Sequence, residues 1–148
     1  MKKETALKAL ENARDMHTEQ MEKIKQLLDG NEIKEPTPLS KMQCCFGEWL
    51  YSTEYNVEET LGSQFYENLD RQHQEWHIGY AKIYNIFYPH NQKKGFFSSL
   101  IGTHKVNSLE VDKAKLYYTE LQEVTKELLH YLASSQRRLQ AMNESKFH

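Results

Sequence analysis

The stretch that decides the fold is Leu69-Asp70-Arg71-Gln72-His73-Gln74-Glu75-Trp76-His77-Ile78-Gly79-Tyr80-Ala81-Lys82-Ile83-Tyr84-Asn85-Ile86-Phe87. Leu69, His73, Trp76, His77, Tyr80, Ile83, Tyr84 and Phe87 recur at helical intervals, so one stripe of a helix carries them all. The period predicts a helix over 63–87, closed by Pro89. Two members of this otherwise apolar stripe are histidines, four residues apart.

Upstream, Leu7, Leu10, His17, Met21, Ile24 and Leu28 keep the same spacing, with Glu, Lys and Gln on the other face. They predict an amphipathic helix over 4–28, stopped by Asp29-Gly30-Asn31. Lys34-Glu35-Pro36-Thr37-Pro38 reads as a connector, with Thr37 as an N-cap and Pro38 in the first helical position. A second helix is expected over 38–51, and a short helical turn over 57–61 before Gly62. Residues 89–107 lose the period and are expected to form a loop. Its Phe96, Phe97, Leu100 and Ile101 are read as covering the core in preference to a subunit contact. Asn107-Ser108-Leu109-Glu110 resembles a capping box and opens a long helix over 108–142, with Leu109, Leu116, Leu121, Val124, Leu128, Leu129 and Leu132 as its apolar series. Strand alternation and internal repeats are absent. Four main helices with mostly short connections predict an all-α chain: one domain over 1–148, an antiparallel four-helix bundle with a short extra helix.

The 148 residues are 39% hydrophobic and 27% charged, with net charge −2. Basic residues are scattered among acidic ones, which removes any electrostatic case for nucleic acid or an anionic membrane. The longest apolar runs fall far short of the roughly 20 residues that span a bilayer. Met1-Lys2-Lys3-Glu4-Thr5 leads into polar helical sequence without the apolar core of a signal peptide, so the cytoplasm is the expected compartment.

The chemistry lies in the histidines and the cysteine pair. On one helix, His73 and His77 project to the same side and can share a metal. Alone, that spacing fits equally a pair of core histidines bonded to Tyr80 or Tyr84. His17 tips the balance, because it too occupies a core register where leucine is the usual resident. A buried imidazole without a partner costs about 1–3 kcal/mol, and one shared ion accounts for three such residues together. Cys44 and Cys45 are the only cysteines, and neighbours rarely bridge each other. In a reducing compartment they are free thiols or metal ligands. Three imidazoles and a thiolate form a borderline-soft set suited to tetrahedral Zn2+. A di-iron centre would need more histidines and bridging carboxylates, and only Asp70 approaches the histidine face. His90, His104, His130 and His148 lie in loops, on a less consistent face, or at the end, and are set aside. Helical spacing groups Cys45 with Met42 and Trp49 on the apolar side, and Cys44 with Lys41, Glu48 and Tyr51, while Gly47 broadens the face that can be buried. Periodicity thus favours Cys45 without deciding between the two.

The segment Cys44-Cys45-Phe46-Gly47-Glu48-Trp49-Leu50-Tyr51, the HxxxH of Leu69 to His77 and the Asp15-Met16-His17 triplet together resemble the chemoreceptor zinc-binding domain family over about 13–87. The resemblance assigns the thiolate to the first cysteine, giving His17, Cys44, His73 and His77 as the Zn2+ ligands. It implies a cytoplasmic helical bundle, typically a homodimer, that serves chemoreceptors or diguanylate cyclases in bacterial chemotaxis or cyclic-di-GMP signalling. The expected stimulus is zinc itself or an oxidant such as hypochlorous acid. Gln20 stands where many members have tryptophan, the 96–101 segment and the last helix have no match, and the 148 residues include no methyl-accepting or cyclase domain. Four protein ligands leave no position for substrate water, so no enzymatic activity is expected. The competing reading is a structural zinc site in a dimerising interaction protein.

Overall fold

A computed structural model describes residues 1–33, 36–89 and 106–147. Every regular element among them is helical: α1 (Lys3–Leu28), α2 (Cys45–Leu50), α3 (Val57–Leu61), α4 (Ser63–Phe87) and α5 (Ser108–Ala141), followed by a 3-10 turn at Glu144–Lys146. Most of the expected loop, with Phe96, Phe97, Leu100 and Ile101, lies outside the described residues, as do His90, His104 and His148. No helix among the described residues is long and apolar enough to cross a membrane.

The three long helices bury seams with alternating four- and three-residue steps. On α1 the seam is Ala6, Leu10, Ala13, His17, Gln20, Ile24 and Leu27. On α4 it is Leu69, His73, Trp76, Tyr80, Ile83 and Phe87, with His77 and Tyr84 buried beside it. On α5 it is Leu121, Thr125, Leu128, Leu132, Ser135 and Leu139. Such spacing keeps a narrow stripe facing its neighbours over many turns, and α5 packs along both α1 and α4. Leu109 and Leu116, which the sequence counts in the apolar series of this helix, fall outside the α5 seam and are 79% and 59% exposed.

Asn107 and Glu110 form the predicted capping box at the start of α5, each side chain accepting the other's backbone N–H. Gly62, at φ +93°, separates α3 from α4, a conformation that suits a residue without Cβ.

The second helix is where the expectation fails. Residues 39–44 form bends around a turn at 41–43, and α2 is only six residues long. Thr37 caps nothing; it is buried, its N–H donating to Gln20 Oε1 at 3.4 Å and its carbonyl accepting from the Tyr80 hydroxyl at 3.0 Å. The cap is Cys44 itself, extended at φ −81° and ψ 152°, with Sγ accepting the Gly47 N–H at 3.3 Å. Residues 36–44 therefore form a strap tied to α1 and α4, and it delivers Cys44 to the core.

Candidate metal centre

Four buried side chains converge: His17 from the middle of α1, His73 and His77 one turn apart on α4, and Cys44 at the start of α2. One donor atom from each can be chosen such that all lie within 4.8 Å of one another. His73 Nε2 is 3.1 Å from both Cys44 Sγ and His77 Nε2.

The hydrogen bonds on the far side of each ring dictate its tautomer. His17 Nδ1 lies 2.7 Å from the Ala13 carbonyl and His77 Nδ1 lies 3.0 Å from the Leu39 carbonyl. A carbonyl only accepts, so both Nδ1 atoms carry the proton. His73 Nδ1 is 3.2 Å from the Tyr51 hydroxyl, which itself donates to Asp70 Oδ1 at 2.8 Å. The Tyr51 proton is committed to Asp70, so Tyr51 accepts and His73 Nδ1 donates. All three Nε2 atoms then present lone pairs inward, toward a sulfur.

Lone pairs facing one another in a buried site repel unless a cation lies between them. His17 Nε2 is the plainest sign, being buried without a hydrogen-bond partner among the described residues. Imidazolium protons do not fill that role near neutral pH, and the single thiol proton of Cys44 can serve only one of the three Nε2 atoms. Burial holds the pKa of His17 and of His77 down at about 4, and that of His73 at about 2, where the charges of His17 and His77 add to the effect. Burial likewise pushes the Cys44 thiol up, against the hydrogen bonds from the Gly47 and Phe46 N–H groups. Apolar rings enclose the cluster. Phe46 stands edge-on to His73 with ring centroids 4.9 Å apart, and Trp76 does the same to His17 at 4.7 Å and His77 at 5.1 Å.

Three neutral imidazoles and one sulfur fit zinc, which takes such donors at about 2.0–2.3 Å in a tetrahedron. Each imidazole already has the outer partner that fixes a metal ligand's orientation. Among the described residues no carboxylate belongs to the cluster: Asp70 is occupied by Tyr51 and by Lys41 Nζ at 2.7 Å.

The structure corrects the periodicity argument about the cysteines. Cys44 is buried and Cys45 exposed, while Met42 is 53% exposed. Helical spacing could not apply across residues 42–45, because the helix begins only at Cys45. His130, on α5, is exposed and away from the cluster. Tyr51 was the member that sequence reasoning missed. It is the last residue of the quoted cysteine–tryptophan segment, and its position seven residues after Cys44 was the available signal.

Replacing His17 with leucine separates the metal's contribution from the fold's. In chelator-treated protein, the variant is expected to melt about 2–4 °C higher, since an orphaned polar atom worth roughly 1 kcal/mol or more is removed from the core. Its zinc affinity, measured by chelator competition, is expected to fall steeply. A metal-free variant that melts lower than wild type would count against the inward lone pair.

The fold and cluster define an all-helical protein with a buried three-histidine, one-cysteine metal site. Residues 17–84 match the chemoreceptor zinc-binding domain family, and this segment holds all four candidate donors. Zinc is the cofactor of that domain, and the donor set fits it. No curated protein and no solved structure matches the chain.

Proposed function

We propose that the chain is a zinc-dependent regulatory module of bacterial signal transduction, of the chemotaxis or cyclic-di-GMP type, in which His17, Cys44, His73 and His77 hold one Zn2+. The observation that carries this reading is the inward lone pair on every histidine of the cluster, with His17 Nε2 orphaned. Bound zinc supplies the charge that keeps the Cys44 sulfur a thiolate.

Cys44 then links chemistry to shape. Its sulfur caps α2 and ends a strap held to α4 through Thr37 and Leu39. Attack of the thiolate on hypochlorous acid gives a sulfenic acid and releases chloride, the sulfur losing two electrons to the oxidant. The uncharged product is a poorer ligand and a poorer cap, so strap and α2 repack, and a partner distinguishes the two packings. A cavity of about 790 Å³, lined by Ala13, Met16, Cys45, Phe46 and Trp49 among others, runs between α1 and α2 and brings the oxidant within one side chain of the cluster.

The module acts in the cytoplasm, where adjacent thiols stay reduced. Its partner is a signalling protein such as a chemoreceptor or diguanylate cyclase. It works as a homodimer, for which the exposed Leu109 and Leu116, one heptad apart on α5, are suitable contacts. The strap with α2 and α3 takes the fourth position of a bundle with α1, α4 and α5. With no open ligand position, the site is not catalytic.

One observation favours the alternative of a purely structural zinc: Cys44 is only 1% exposed. The discriminating experiment uses the zinc-loaded Cys45→Ser protein, which removes the exposed thiol that would react first. Substoichiometric hypochlorous acid is expected to release zinc to a chromophoric chelator, and a thiol reductant to restore binding. Retention of zinc under those conditions would leave the structural reading.

A further inference from the structure

Behind His73 lies a chain of three side chains that the zinc reading does not itself require. Tyr51, from the end of α2, places its hydroxyl 3.2 Å from His73 Nδ1, and its ring lies nearly parallel to the imidazole, with centroids 6.1 Å apart. The hydroxyl proton goes to Asp70 Oδ1 at 2.8 Å. Asp70 sits three residues before His73 on α4, and the same oxygen takes Lys41 Nζ at 2.7 Å. Lys41 also donates to Gln74 Oε1 at 3.1 Å and lies 4.8 Å from the centre of the Tyr51 ring. Its own carbonyl is 3.6 Å from Cys44 Sγ. The strap, α2 and α4 thus meet through one network that touches two of the four donors.

The other two histidines use backbone carbonyls for the same purpose, and no side-chain substitution deletes a carbonyl. Only at His73 does a side chain decide which nitrogen bears the proton. We propose that Tyr51 is a positioning residue of the zinc site: oriented by Asp70, which Lys41 anchors, it holds His73 with its proton on Nδ1 and thereby sets the zinc affinity. A hydroxyl that donates to a carboxylate is a stronger acceptor for the next donor, so the chain also raises the basicity of His73 Nε2. Without the Tyr51 oxygen, the proton is better placed on Nε2, where His77 Nε2 and Cys44 Sγ, each 3.1 Å away, can accept it. In that tautomer the donor lone pair points away from the metal.

This inference rests on the zinc reading, and the test keeps the two apart. Wild type, Tyr51→Phe, Asp70→Ala and Asp70→Asn are compared for zinc stoichiometry, for affinity by chelator competition, and for the His73 tautomer by nitrogen-15 shifts in the metal-free full chain. Phenylalanine preserves the ring beside His73, so the fold is retained, and an unchanged melting temperature of the metal-free protein checks this. Wild type is expected to take one zinc per chain. Tyr51→Phe and Asp70→Ala are expected to bind about 10–100-fold more weakly, the range for a lost outer partner. Asp70→Asn, whose amide oxygen still accepts from Tyr51, recovers part of that loss. The His73 proton is expected on Nδ1 in wild type and on Nε2 in Tyr51→Phe. Zinc-binding wild type with an equally tight Tyr51→Phe, or with the same tautomer in both proteins, overturns the role of Tyr51 and leaves the zinc site standing. Wild type that takes no zinc overturns both.

Discussion

Replacing Gly47 with alanine is expected to abolish stoichiometric zinc binding. A Cβ at this position would fall inside the van der Waals envelope of the Lys41 carbonyl oxygen and 2.8 Å from its carbon. These are backbone atoms, so no rotamer relieves the clash; either the strap or α2 must move. Both movements damage the site. The Gly47 N–H donates to Cys44 Sγ, which caps α2, and Lys41 carries the ion pair that orients Asp70. The expected result is zinc affinity at least hundredfold weaker, beyond the ~10–100-fold typical of an outer partner lost alone. Overpacking of this kind costs about 1–3 kcal/mol or more, a fall of several degrees in melting temperature for a chain of this length. Gly62→Ala is the control. It forces alanine into a left-handed conformation at φ +93° and meets only the flexible end of Arg138. It should lose roughly 1 kcal/mol of stability while keeping wild-type zinc affinity. Zinc binding by Gly47→Ala within a few-fold of wild type would show that the strap does not position Cys44.

The second large effect separates the two cysteines. Metal content of protein purified without a histidine tag is expected to be about one zinc per chain in wild type and in Cys45→Ser. Cys44→Ser is expected to retain little, with affinity lowered more than a hundredfold. The substitution is a clean one, because serine is a better helix N-cap than cysteine and its hydroxyl can still accept the Gly47 N–H. The fold is therefore preserved and the loss belongs to the thiolate. Equal zinc in Cys44→Ser and Cys45→Ser would remove the cysteine from the ligand set and with it the redox reading.

Helical periodicity alone carries the helical class and points to three of the four candidate donors. Apolar residues at three- and four-residue steps, including the stripe from Leu69 to Phe87, sufficed for α1 and α4, and the Asn107–Glu110 box located the start of α5. His17, His73 and His77 were legible because each interrupts an apolar register, and a register is a property of one helix read alone. The choice of Cys44 came from the resemblance, against the periodicity, and the structure explains why the periodicity misled. A capping residue lies outside the helix it caps, so the helical phase cannot be carried back through it. The same limit hid the strap: Thr37 looks like an N-cap in sequence, but Gln20 and Tyr80, from two other elements, hold it as a buried anchor. The exposure of Leu109 and Leu116 followed from the seam on α5, which only its packing against α1 and α4 defines. In sequence, Asp70 alone approaches the histidine face, where it can orient an imidazole, while Lys41 and Tyr51 only share the side of Cys44. Their alignment behind His73 depends on three segments meeting at hydrogen-bond distance, and a spacing rule within one helix holds no information about that.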